Sequence, residues 1–121
     1  IKEEEMKKIY YLKTCDTCKK ILKEIPLEGV VLQEIKGEPI TIAQLEEMHS
    51  FSKSYVALFS KRAKKYKELG LKDQKLSETD FKQLILETYT FLKRPVAIVN
   101  GEIFIGNSKK NIEALKNSLK Q

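Results

Sequence analysis

The chain has no tryptophan, a single histidine, two cysteines and three prolines in 121 residues. Two cysteines cannot build the disulfide framework of a small secreted domain. Together with His49 they also fall short of the four ligands that a zinc ion usually takes, so no metal is expected in one copy of the chain. No segment approaches the roughly 18 consecutive apolar residues that a membrane span needs. The first eight residues, Ile-Lys-Glu-Glu-Glu-Met-Lys-Lys, hold no apolar stretch that could serve as a signal-peptide core, so a cytoplasmic location is expected. A Gly-rich phosphate cradle is absent, and with it the expectation of a bound nucleotide. No repeat, Gly/Ser linker or low-complexity stretch divides the chain, which is read as one domain over residues 1–121.

What is present is an ordinary globular composition: 41% apolar and 33% charged residues, with 23 Lys and Arg against 17 Asp and Glu leaving a net charge of +6. A chain of this length buries roughly two-thirds of its unfolded surface and holds a core without staples. Met6 is read either as the native start, with Ile1 to Glu5 a cloning remnant, or as part of an authentic charged N-terminus.

Lys7 to Leu12 is rich in β-formers and predicts a first strand. Cys18, Ile21, Leu22 and Ile25 then recur at i, i+3, i+4 and i+7, the stripe of a helix that starts near Asp16 and stops before Pro26. Val30 to Ile35 comes next as a second strand, parallel to the first by the right-handed crossover rule. Residues 41 to about 90 read as an insertion of short helices. Thr41 with Gln44 and Ser77 with Asp80 form capping boxes, and Ser52 is expected to cap a helix carrying Tyr55, Val56, Leu58 and Phe59. Asn100-Gly101 between Val96–Val99 and Glu102–Ile105 marks a two-residue hairpin. Asn107 or Ser108 caps a last helix with Ile112, Leu115 and Leu119 inward. The order is βαβ, helical insertion, ββα.

The cysteines stand three apart, Cys15 at the mouth of the first helix and Cys18 on its inward stripe. A thiol at a helix N-terminus meets unpaired N–H groups and the positive end of the macrodipole, and both favour the thiolate. Cys15 is thus the candidate nucleophile, and Cys18 can resolve a mixed disulfide formed on it. Lys19 and Lys20 assist; Asp16 opposes. His49 is read as a surface or helix-end residue. Lys61, Arg62, Lys64, Lys65, Lys67, Lys72 and Lys75 read as a solvated face rather than a DNA-binding one, and Tyr10, Tyr11, Tyr66 and Phe81 as core and edge packing rather than a base-stacking set.

With this order, a Cys-x-x-Cys at the first strand-to-helix turn and Arg94-Pro95 opening the hairpin, the chain resembles the thioredoxin-like superfamily and, more closely, the arsenate reductase (ArsC)/Spx family. The residues that carry the likeness are Ile9-Tyr10, Thr14-Cys15-Asp16-Thr17-Cys18-Lys19-Lys20, Tyr66-Lys67-Glu68-Leu69-Gly70-Leu71 and Leu92-Lys93-Arg94-Pro95-Val96, within about Lys7 to Leu119. The resemblance implies an α/β thioredoxin-like fold with a mixed sheet and a helical insertion between the halves. It also implies a cis Pro95 beside the nucleophilic sulfur and an anion-gripping Arg94. Arg62, Lys19 and Thr14 are further anion-binding candidates. Two other arginines of the arsenate reductase pattern are missing, with Ser60 and Gly106 in their places, and Arg62 is a candidate to compensate. Cys18 itself is an Spx-like feature, since arsenate reductases of this family typically lack a second cysteine there.

The expected function is a cytoplasmic thiol oxidoreductase with Cys15 as nucleophile and Cys18 or glutathione resolving. Glutathione or glutaredoxin, or a small thiol or oxyanion substrate, is the expected partner, and no cofactor is expected to be bound. The alternative is an Spx-like regulator that binds the RNA polymerase α subunit through a Cys15–Cys18 switch.

Overall fold

The computed structural model describes residues 7–120, and the two readings of Ile1 to Met6 lie outside them. The described chain falls into two units, one formed by residues 7–39 with 94–120 and the other by Ile40–Lys93.

The first unit is built on a four-stranded mixed sheet. Strand β1 (Lys7–Tyr11) pairs parallel with β2 (Val31–Glu34) and antiparallel with β3 (Val96–Val99), and β3 pairs antiparallel with β4 (Glu102–Ile105). The hairpin turn is as the sequence predicts: Asn100 and Gly101 both have positive φ, 49° and 89°, the twist that two-residue loops require. Opposite residues Ile9, Ala97 and Phe104 share one face of the sheet. That face buries Ile21 and Ile25 from helix α1 (Asp16–Glu24) and its C-cap, and Ile112, Leu115 and Leu119 from α5 (Lys109–Leu119). The predicted 3.6-residue stripes are thus the two helix faces that make the core. Ser108 is the α5 cap, its hydroxyl accepting the Asn111 N–H at 3.1 Å.

The second unit contains α2 (Ile42–Ser52), α3 (Lys64–Glu68) and α4 (Glu78–Glu87), with 3-10 turns at Val56–Leu58, Leu71–Asp73 and Tyr89–Phe91. Both predicted capping boxes are present, Thr41 with Gln44 and Ser77 with Asp80. The core is aromatic. Phe59 stacks on Phe91 with centroids 4.9 Å apart and meets Phe81 edge-on at 4.8 Å. Tyr66 packs edge-on against the same ring at 5.8 Å. A short antiparallel bridge joins Phe59 to Leu92, flanked by bonds from Ser60 N–H to the Phe91 carbonyl and from Lys93 N–H to the Leu58 carbonyl.

The expectation for Ser52 is corrected. Ser52 is the last residue of α2, which closes on Lys53 in the left-handed conformation with its N–H on the His49 carbonyl. The apolar residues after it form a single 3-10 turn, Val56–Leu58, in place of a full helix. The first amides of that turn are taken by Glu78, which accepts Tyr55 N–H at 2.6 Å and Val56 N–H at 3.2 Å, while Ser54 Oγ accepts Ala57 N–H. The cap is a carboxylate distant in sequence, which is invisible to a local motif search.

Candidate active site at the mouth of the first helix

Strand β1 ends at Tyr11 and α1 begins at Asp16, so Leu12 to Cys15 must reverse the chain in one turn. Cys15 N–H closes that turn on the Leu12 carbonyl at 3.1 Å. Cys15 is the N-cap of α1, with extended backbone (φ −91°, ψ 111°), and its carbonyl accepts the Lys19 N–H. Its side chain is half-buried, so the sulfur stands at the positive end of the helix with access to solvent.

Cys18 lies one turn on and is fully buried, with 0% of its surface exposed. Burial pushes the Cys18 thiol up to about 11; the neighbouring Cys15 adds to the rise, while the Leu12 backbone and Arg94 oppose it. For Cys15, burial also works against the thiolate. It is outweighed by hydrogen bonds from the Cys18 backbone N–H, the Cys18 thiol and the Arg94 side chain, together with the Arg94 charge, so the Cys15 thiol lies below its ordinary value. The two sulfurs differ: their surroundings favour the thiolate at Cys15 and the protonated thiol at Cys18.

Arg94 reaches this site from a distant part of the chain, in the residue before Pro95 and β3. The Arg94–Pro95 peptide bond is cis. Pro95 is buried, and its carbonyl accepts the Gly106 N–H at 2.9 Å. The Gly106 carbonyl in turn accepts Asn111 Nδ2 at 2.9 Å, so the first turn of α5 steadies the loop facing Pro95. Gly106 has φ +90°, a backbone conformation that side-chain-bearing residues rarely adopt.

Cys15, Cys18 and Arg94 are therefore brought together. Thr14 and Lys19 are exposed neighbours of Cys15, one in the turn and one in the first turns of α1. Arg62 is an exposed residue of the second unit, ahead of α3. Among the described residues no group of three or more His, Cys, Asp or Glu could hold a metal ion, and no helix is long and apolar enough to cross a membrane. One contributor escapes sequence reasoning. Glu34, at the end of β2, accepts the Lys13 N–H of the turn that carries Cys15, at 2.9 Å. Nothing local marks it, because it acts across the β1–β2 register.

Known proteins share this fold. An ArsC family related protein from Bacteroides fragilis superposes with a TM-score of 0.75 at 20% identity, over 94% of this chain and 100% of its own. The arsenate reductase from Vibrio cholerae gives 0.73 at 19% identity, over 92% and 96%. A Staphylococcus aureus protein gives 0.71 at 29% identity, over 90% and 97%. No curated protein is matched in sequence. These likenesses establish the thioredoxin-like arsenate reductase fold. The ArsC family model matches residues 10–115, nearly the whole chain, and the protein belongs to the ArsC family.

Proposed function

We propose that the protein is a cytoplasmic thiol oxidoreductase in which the Cys15 thiolate attacks an oxidised sulfur or an oxyanion. The observation that carries this reading is the opposed pair of thiols, Cys15 lowered beside Arg94 and Cys18 raised by burial. With a disulfide substrate, the Cys15 thiolate bonds to one sulfur and the other leaves as a thiolate. Cys18 then loses its proton and attacks Cys15, releasing the reduced substrate and leaving a Cys15–Cys18 disulfide. Once Cys15 is bonded, its charge no longer raises the Cys18 thiol, but burial still does. A free thiol such as glutathione, delivered directly or through glutaredoxin, therefore competes with Cys18 for the resolving step.

Arg94 grips an anionic substrate group by charge-assisted hydrogen bonds. Thr14 and Lys19 extend that anion site. Arsenate is one candidate substrate, disfavoured by the arginines absent at Ser60 and Gly106. No cofactor is held by the protein in this scheme; glutathione is a co-substrate.

The hydrogen bond between the two thiols also favours a second reading, an Spx-like regulator. Closing the Cys15–Cys18 disulfide would reshape the helix mouth and bias an interface with the RNA polymerase α subunit. One experiment separates the two. NADPH consumption is measured with glutathione, glutaredoxin and glutathione reductase, offering arsenate and a small mixed disulfide in turn. Turnover that Cys15→Ser abolishes supports the enzyme; no turnover with either substrate, together with polymerase subunit retained by one redox form, supports the regulator.

A further inference from the structure

We infer that Glu34 is a positioning residue for Cys15: its carboxylate ties down the turn that sets the nucleophilic sulfur at the helix mouth. The inference rests on the reading of Cys15 as nucleophile. Of the amides in the Leu12–Cys15 turn, Cys15 N–H closes it on the Leu12 carbonyl, while Lys13 N–H goes to a side chain. Glu34 Oε2 accepts that N–H at 2.9 Å, and Oε1 accepts Gly37 N–H at 2.7 Å. The carboxylate is itself anchored, because Glu34 pairs with Tyr11 in the β1–β2 register and Ile35 N–H bonds the Tyr11 carbonyl at 2.9 Å. The turn is thus fixed twice, once by its own Leu12 carbonyl and once by a side chain from the neighbouring strand. Gly37 permits the close approach: a Cβ there would stand 3.3 Å from Glu34 Oε1.

The sign of the effect distinguishes positioning from simple charge. A carboxylate acting only as a nearby negative charge disfavours the Cys15 thiolate, so its removal would lower the thiol pKa. A carboxylate that holds the turn favours the thiolate indirectly, by keeping the sulfur on the Cys18 N–H and Arg94. Its removal then raises the pKa.

The test is the pH profile of Cys15 alkylation by iodoacetamide, mapped by peptide mass in the full chain. Glu34→Ala is expected to slow alkylation at pH 7 by about three- to tenfold, the scale of one lost hydrogen bond, and to move the midpoint upward. Glu34→Gln keeps one acceptor oxygen at the same reach for Lys13 and is expected to recover most of the rate. Gly37→Ala, which crowds the carboxylate without changing charge, should shift the midpoint upward as well, and it carries the test with Glu34→Gln if thermal melting shows Glu34→Ala unfolded. An unchanged or lowered midpoint in Glu34→Ala, or in Gly37→Ala when it stands in, overturns the inference while leaving Cys15 as nucleophile. Preferential labelling of Cys18 over Cys15 in the unaltered protein overturns both.

Discussion

The buried Cys18 thiol donates a hydrogen bond to the Cys15 sulfur, and that one contact lowers the pKa of Cys15 while it raises that of Cys18. A Cys-x-x-Cys pair in one helical turn is therefore not two equivalent thiols. The N-cap position exposes one to solvent, backbone N–H groups and Arg94, and the 3.6-residue period turns the other into the core.

Cys18→Ala removes the donor to Cys15 but leaves the backbone N–H in place. The Cys15 thiol is expected to rise, with alkylation at pH 7 slowed by about three- to tenfold. Cys18→Ser, which keeps a hydroxyl donor, should stay close to the parent in this first step. The pH profile of alkylation checks both.

Arg94 lowers Cys15 by a hydrogen bond and by charge. Arg94→Gln is expected to move the alkylation midpoint toward the ordinary cysteine value of about 8.5 and to raise KM for anionic disulfides more than for a neutral one. Comparing an anionic with a neutral disulfide of similar size measures the second effect directly.

In the second unit the Glu78 carboxylate is held below its ordinary value by the Tyr55 N–H first and the Val56 N–H after it, with burial opposing. A carboxyl whose folded-state pKa is depressed stabilises the fold fully above its unfolded value of about 4.3, and the contribution is lost as pH falls through the folded value. Glu78→Gln is expected to lower the melting temperature at pH 7 and to differ less from the parent at pH 3 than at pH 7. Thermal melts at the two pH values decide it.

Gly101 sits at φ +89° in the β3–β4 turn. Gly101→Ala is expected to cost about 1–2 kcal/mol in chemical denaturation, because a Cβ disfavours left-handed backbone, although nothing lies within 4 Å of that position to clash.

Much of this architecture was legible in the residues. Asn100-Gly101 dictated the hairpin by turn chemistry alone, and the stripes Cys18, Ile21, Leu22, Ile25 and Ile112, Leu115, Leu119 named the inward helix faces, with Leu22 only partly buried. Both capping boxes are local patterns and appeared where read. Ser52 misled because a serine ahead of apolar residues looks like a cap; its hydroxyl accepts the Ser54 N–H at 3.4 Å, but the Tyr55 and Val56 amides are bonded by Glu78 from another helix. Glu34 was silent for the same reason, acting through strand register rather than spacing. Cys15 and Arg94 are separated by most of the chain, so their proximity was available only through family resemblance, and it is the fold that makes it physical.

Incubating Cys18→Ser with oxidised glutathione and mapping adducts by peptide mass shows whether Cys15 is the attacking sulfur and Cys18 the resolving one. A single glutathione is expected on the peptide containing Cys15, stable until free thiol is added, and none when Cys15 is also changed to serine. No adduct at all, or an equal adduct on Cys18 in Cys15→Ser, would contradict it.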